Sequence, residues 1–332
     1  MGAGGSRFKS GCPDFFMIFS SGSVQNIAHS PADTAQETSL SAVRVLTSRE
    51  VESKFPFSSL FISLNADFPQ DSFVLLEVQV RARQKWSPFY KLALLSDKLK
   101  TSFPPQADGF ARVETDELVL SVPAQAYRYR VQLSGKAQLK NLNVCLVKEP
   151  FLYDEKRAAK LPAGTREIGV CPISQMTQKL ADRRRICSPT SLCMALNSVG
   201  ISCTLPEVLN GVFDPVANIY GNWLFNVVYA GQKGAEAYVR RFGTLTELDE
   251  FITPTGCVLA SIAFDKGELS GAPLDNTPGH LVLVRGWKDG QILVADPAAP
   301  EEKTVFRSYD ARAFARAWLK NKKGISYIVR KK

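Results

Sequence analysis

From Ser72 onward apolar side chains recur at every second position. Val74, Leu76, Val78, Val80 and Ala82 alternate with Glu77, Gln79, Arg81 and Arg83. A period of two belongs to a strand with one buried and one wet face, and it excludes an amphipathic helix over this stretch. Tyr127, Tyr129, Val131 and Leu133 repeat the pattern against Arg128, Arg130 and Gln132. Further short strands are expected at Phe89–Leu94, Glu117–Val122 and Leu139–Val147, with turn residues at Pro104-Pro105, Asp108-Gly109, Val122-Pro123 and Ser134-Gly135. Short strands punctuated in this way define an antiparallel β-sandwich of the jelly-roll or immunoglobulin-like kind. Arg81, Arg83, Arg128 and Arg130 would share its solvent faces beside Trp86, Phe89 and Tyr90. That arrangement suits a solvated surface or, alternatively, a platform for polyanions.

The chain's 332 residues leave room for a second domain, because one domain commonly takes about 100–200. The expected organisation is a mostly disordered lead over residues 1–45 and the sandwich over 46–150. A linker over 151–168 and a second domain over 169–332 follow. Gly, Ser, Ala and Thr dominate the lead. Its apolar run Phe15-Phe16-Met17-Ile18-Phe19 is shorter than the roughly 7–15 residues of a signal-peptide core, so no compartment is assigned. Met1-Gly2-Ala3-Gly4-Gly5-Ser6 fits the pattern for N-myristoylation at Gly2, with Cys12 a second candidate for lipid, or else is a flexible start. No transmembrane segment is expected, since no stretch approaches about 18 uninterrupted apolar residues. The formal charge of +9 is spread along the chain, with compact basic runs only at Arg183-Arg184-Arg185 and in the C-terminal tail. Nucleic acid is therefore not an expected partner.

In the second domain the period changes. Ile186-Cys187-Ser188-Pro189 is a helix start, with Cys187 or Ser188 at the cap. Leu192, Ala195, Leu196 and Val199 continue at helical spacing, and Gly200 ends the element. A thiol at a helix N-terminus faces unpaired amides and the positive end of the dipole, which favour the thiolate. Cys193, and likewise Cys145, Cys171, Cys203 and Cys257, read as structural thiols with no close pairing. Seven cysteines without CxxC spacing argue against zinc and against a disulfide scaffold, and no metal or cofactor is expected.

Only two histidines are present, His29 in the irregular lead and His280. Proton transfer near neutral pH therefore falls to His280 or to a perturbed carboxylate or lysine. His280 opens the run Leu281–Trp287, Lys288-Asp289-Gly290 turns, and Ile292–Ala295 returns to Asp296-Pro297. A two-residue Asp-Gly turn would put His280 and Asp296 on opposite faces. A three-residue loop with Gly290 in a bulge pairs 287 with 291 and sets Asp296 diagonal to His280, about 7–8 Å away. The second register is expected. Thiol, imidazole and carboxylate together point to a cysteine–histidine–acid hydrolase, the alternative being three structural residues.

Pro172-Ile173-Ser174-Gln175, Cys187-Ser188-Pro189-Thr190-Ser191, Gly279-His280-Leu281-Val282 and Val294-Ala295-Asp296-Pro297 stand in this order. Together they resemble the papain-fold cysteine peptidases related to double-glycine (bacteriocin leader) peptidases. Tyr220–Asn226, Ala237–Phe242 and Gly267–Pro273 resemble the bacterial branch with an N-terminal β-rich domain, whose members are often secreted. The resemblance implies an α+β protein, with the sandwich followed by a papain-like cysteine peptidase domain acting on a peptide or protein substrate. It makes Cys187 the nucleophile, His280 the base and acid, and Asp296 the residue orienting His280. Gln175, with the backbone N–H of Cys187, would form the oxyanion hole. Ser188 stands where the leader peptidases usually carry Gly. Asn222 and Trp223 open another helix and either line the cleft or serve as cap and core. An acyltransferase or transglutaminase-type reaction would need the same three residues. A binding protein could keep the fold without turnover.

Overall fold

The computed structural model describes residues 18–40 and 42–331. Gly2 and Cys12, the candidate lipid sites, lie outside them. The first domain contains β1 (Ile18–Ser21), β2 (Val24–His29), β3 (Thr34–Leu40), β4 (Val43–Ser48), β5 (Val51–Asp67) and β6 (Phe73–Ala82). It continues with β7 (Lys85–Trp86), β8 (Tyr90–Ser96), β9 (Lys100–Thr101), β10 (Ala111–Glu114), β11 (Glu117–Ser134) and β12 (Gln138–Val147). All pair antiparallel in one network with the main order β1-β2-β12-β5-β11-β6-β8-β9. β5 and β11, 17 and 18 residues long, change neighbours along their length through register shifts between Val119 and Ala126. A single bent network thus encloses one apolar core. The alternating positions of β6 and β11 supply it: Val74, Leu76, Val78, Val80, Tyr127, Tyr129 and Val131 are fully buried.

Residues 18–40, expected as part of a mostly disordered lead over 1–45, carry strands β1, β2 and β3 and a 3-10 turn at Pro31–Asp33. β2 pairs with β12 from Val24↔Val147 to His29↔Leu142. Its composition is unremarkable, but the partner strand already stands in the core, and long-range pairing overrides weak local preference. His29 is accordingly buried, hydrogen-bonded through Nε2 to the Tyr127 hydroxyl at 2.7 Å. The outer arginines are engaged by neighbours. Arg128 lies 3.9 Å from the Trp86 ring centre and Arg130 4.1 Å from that of Phe89. Arg130 also makes a two-pronged ion pair with Glu77 at 2.6 and 2.9 Å.

The connector carries a helical turn, α1 (Glu155–Ala158), and a short strand, β13 (Arg166–Glu167), so the expected linker is partly built into the second domain. There follow α2 (Cys187–Ser198), α3 (Leu205–Val212), α4 (Trp223–Gln232), β14 (Ala235–Arg241), α5 (Leu248–Phe251) and β15 (Gly256–Phe264). The chain closes with β16 (Thr277–Lys288), β17 (Gln291–Ala295), β18 (Phe306–Asp310), α6 (Ala311–Ala315) and β19 (Ile325–Lys331). The antiparallel order is β14-β19-β15-β16-β17-β18, with β13 beside β16. α2, α3 and α4 cover one face with Leu192, Leu196, Val208 and Val227. Phe251, Phe314 and Trp318 cover the other. Among the described residues no helix is long and apolar enough to cross a membrane.

β14 pairs on one side only, yet its outer edge is satisfied by the first domain. The Asn26 amide donates to Arg241 O and accepts from Arg241 N–H, both at 2.9 Å. Ser63 Oγ accepts from Val239 N–H at 3.0 Å, and Asn65 Nδ2 donates to Ala237 O at 2.6 Å. Side chains thus stand in for a neighbouring strand, which blocks an otherwise sticky edge and locks the domains together.

Candidate active site

Cys187 is the first residue of α2, half-buried, with Ile186 at the cap rather than Cys187 or Ser188. Ile186 offers no side-chain cap. Its carbonyl instead accepts from Thr190 N–H at 3.0 Å and Thr190 Oγ1 at 2.7 Å. The first turn of α2 is tied to β16 by Ser191 Oγ, which donates to Leu281 O at 3.0 Å. That bond sets the helix start against His280. The thiol and the imidazole stand near enough to shift each other's ionisation.

On its other side His280 is held by Asp296, with Nε2 2.7 Å from Oδ1. With Nε2 so occupied, Nδ1 is left for the sulfur. Asp296 is buried and fully engaged: Oδ1 also accepts from Ala298 N–H at 2.9 Å, and Oδ2 accepts from the Tyr309 hydroxyl at 2.8 Å.

The hairpin reaches this geometry by a different route from the one expected. Lys288 faces Gln291, so the turn is the two-residue one, with Asp289 at φ 48° and Gly290 at φ 79°. That register alone would separate His280 and Asp296. The pairing then shifts between Gly286↔Leu293 and Val284↔Val294, with Arg285 as the extra residue. Beyond this bulge Leu283 faces Ala295, which brings Asp296 to the face of His280. Gly286, at φ 152°, permits the bulge, since a Cβ there would lie 1.8 Å from Arg166 O.

Charges follow from these contacts. Burial opposes ionisation of Cys187, but the His280 hydrogen bond and charge, with the Leu281 and Ser188 amides, outweigh it and hold the thiol below its ordinary value. Burial likewise opposes charge on His280, yet Asp296 and then Cys187 push it up to about 10. Asp296 is held below the usual carboxylate range, because His280, Ala298 and Tyr309 together overcome burial. All three shifts run toward a thiolate–imidazolium pair on an ionised carboxylate.

Gln175 sits in a loop pinned to the turn after Asp296. Its N–H donates to Pro297 O at 2.8 Å, and Ser174 Oγ donates to Ala299 O at 2.5 Å. Gln175 is buried, and its Oε1 has no hydrogen-bond partner among the described residues. Asn222 does not line a cleft. It is buried as the cap of α4, accepting from Phe225 N–H at 3.2 Å and donating to Asp214 at 2.9 Å. Trp223 packs on Tyr327, ring centres 4.3 Å apart, and meets Phe61 of the first domain. Tyr327 in turn shares a 3.0 Å hydrogen bond with Ser188, which also donates to Asn226 at 3.0 Å. Tyr309, Tyr327 and Asn226 escaped the sequence reading. Their only local signal is that they are polar residues at inward-facing positions of elements whose register is set elsewhere.

A helix opening on a thiol, packed against an antiparallel sheet whose hairpin presents an imidazole–carboxylate pair, is the layout of the cysteine-peptidase fold class. Here an all-β antiparallel domain precedes it. Residues 167–326 match the family described as Peptidase_C39 like, and residues 21–145 match the Peptidase C39 N-terminal domain. By these matches the second domain is a Peptidase_C39-like domain and the first a Peptidase C39 N-terminal domain. Three solved structures are similar over about half of this chain. A double glycine motif protease from an AMS/PCAT transporter, in complex with the leader peptide, is 19% identical, with 52% of this chain and 97% of that chain covered and a TM-score of 0.35. The peptidase domain of Streptococcus ComA, a bi-functional ABC transporter, is 17% identical, with 45% and 93% covered and a TM-score of 0.33. A C39-like peptidase from Bacillus anthracis is 16% identical, with 51% and 98% covered and a TM-score of 0.39. No curated protein matches the chain.

Proposed function

We propose that the protein is a cysteine peptidase that hydrolyses peptide or amide bonds through Cys187, His280 and Asp296. The observation that carries this reading is the His280–Asp296 pair, with Nε2 to Oδ1 at 2.7 Å, set against the helix that begins at Cys187 by the Ser191 bond to Leu281 O. In this mechanism the thiolate attacks the scissile carbonyl carbon. The developing oxyanion is met by the Cys187 backbone N–H and by the Gln175 side chain. His280 delivers its proton to the leaving amine, the C–N bond breaks, and a thioester remains on Cys187. A water molecule then gives a proton to His280 and adds to the thioester, releasing the acid and restoring the thiolate. Asp296 keeps the ring oriented and its charged form favoured throughout. Gln175 would supply its side-chain Nε2–H as the donor, and its backbone bond to Pro297 O at 2.8 Å, one residue beyond Asp296, supports that assignment.

The experiment is labelling with a peptide probe bearing a thiol-directed warhead, followed by profiling of peptides released from a proteome digest. Labelling at Cys187 that disappears in His280→Ala, with new peptide termini, is expected. Labelling that persists in His280→Ala sinks the reading. Amine incorporation without net hydrolysis would move it to acyl transfer.

A further inference from the structure

Cys193 and Cys203, which gave no sign of pairing in the sequence, are brought together with their sulfurs 3.8 Å apart. The approach is built rather than incidental. One side chain, Asn197, clamps both backbones: its Nδ2 donates to Cys193 O and to Cys203 O, each at 2.9 Å. Its Oδ1 accepts from Cys203 N–H at 3.3 Å, and Nδ2 lies 3.5 and 3.7 Å from the two sulfurs. Cys203 is fixed from the other side by α3, whose capping box, Thr204 with Glu207, begins at the next residue. A disulfide requires about 2.05 Å between sulfurs. Closing the gap therefore takes a shift of under about 2 Å, which side-chain rotation can supply while the clamp holds the backbones. The pair is asymmetric in access: Cys203 is 8% exposed and Cys193 1%.

We propose that Cys193 and Cys203 form a reversible disulfide, a covalent staple between the helix that begins at Cys187 and the link to α3. The oxidant is a low-molecular-weight disulfide such as oxidised glutathione. The more exposed Cys203 attacks as thiolate, breaking the reagent's S–S bond, forming a mixed disulfide and releasing one thiolate. Cys193 then loses its proton and attacks the Cys203 sulfur, expelling the second thiolate. Two electrons and the two thiol protons pass from the pair to the reagent, which leaves as two thiols. The contact with Cys203 and then burial oppose ionisation at Cys193, which with the greater exposure of Cys203 fits Cys203 as the attacking sulfur. The staple closes a short loop and restricts the unfolded chain, so the oxidised protein should melt at higher temperature. This inference does not depend on the peptidase reading, because neither sulfur takes part in the proposed hydrolysis.

The test equilibrates the full chain carrying Cys187→Ala, which removes the other reactive thiol of α2, against graded mixtures of reduced and oxidised glutathione. Free thiols are then alkylated under denaturing conditions. Cyanogen bromide cleavage at Met194 with trypsin puts Cys193 and Cys203 on separate peptides. The expected result is a linked peptide pair lighter by two hydrogens, appearing with one midpoint and lost on reduction. Oxidation should raise the melting temperature by a few degrees, and Cys193→Ser should trap glutathione on Cys203. Alkylation of both thiols at every potential overturns the proposal, and so does a Cys203–glutathione adduct that persists while Cys193 is present. Should a serine variant fail to fold, the peptide map of the Cys187→Ala chain alone still decides.

Discussion

The Tyr309 hydroxyl donates to Asp296 Oδ2 at 2.8 Å, on the oxygen that His280 does not use. The carboxylate is thereby held from two sides, and its plane sets the direction in which the imidazole points. Tyr309→Phe keeps the ring and removes the donor, leaving one lone pair of a buried charge unserved. We expect kcat to fall about 10–100-fold with KM within about twofold, the cost of one lost hydrogen bond to a charged group. A steady-state comparison with the wild type checks this, and an unchanged kcat removes Tyr309 from the positioning role.

The pH profile follows from the two opposed shifts. Activity needs thiolate and imidazolium together, so kcat/KM should rise with pH through a thiol held below its ordinary value. It should fall again as His280 loses its proton near pH 10. Asp296 is the chief group holding that upper limb high, through its charge and its hydrogen bond. Asp296→Asn should therefore move the alkaline limb downward and narrow the bell. The stability linkage has matching signs. The raised His280 contributes stability fully present below pH 6.5 and lost as pH rises through about 10, whereas depressed Asp296 contributes above pH 3.8 and loses it on further acidification. An unmoved alkaline limb in Asp296→Asn would show that the carboxylate does not tune the histidine.

Gly286→Ala tests the bulge that aligns the hairpin. The new methyl would stand 1.8 Å from Arg166 O, which is backbone of β13 and cannot rotate aside. We expect destabilisation above about 3 kcal/mol in urea unfolding, together with loss of probe labelling at Cys187 as Asp296 leaves its register. Wild-type stability in this variant would mean that Arg285 and Gly286 do not set the pairing.

His29 makes the first domain acid-sensitive. Burial, only partly offset by Asp33, lowers it from 6.5 to about 4, so between these values the unfolded chain binds a proton that the folded chain refuses. Stability should fall as pH drops below 6.5 and level off below about 4, with about 2 kcal/mol lost by pH 5. His29→Gln should flatten that part of the curve. Parallel curves for the two proteins would assign the acid loss to carboxylates instead.

The elements that could be read without coordinates are those whose cause lies within a few residues. Alternation along Val74–Ala82 and Tyr127–Leu133 names the buried faces, because a strand turns each side chain by half a revolution whatever its partner. Ile186-Cys187-Ser188-Pro189 starts a helix through the fixed φ of proline, and Gly200, at φ 77°, lets the chain turn away after it. Strand β2 was illegible because its partner is β12, more than a hundred residues away, and β1 pairs in turn with β2. Asn222 was legible as a cap, because capping is decided within one helical turn.

The sequence by itself determined the family motifs, the inward faces of the strands, the scarcity of histidine and the thiol at a helix start. Each is set by composition or by neighbours along the chain. Only the tertiary structure decided that Arg285 bulges so that Asp296 meets His280, that Tyr309 completes the carboxylate, that Gln175 is pinned beside Pro297, and that Cys203 lies against Cys193. These depend on close packing between distant segments, where one extra residue in a strand or one backbone carbonyl at a glycine moves side chains by several ångströms. Periodicity carries no information about such placement.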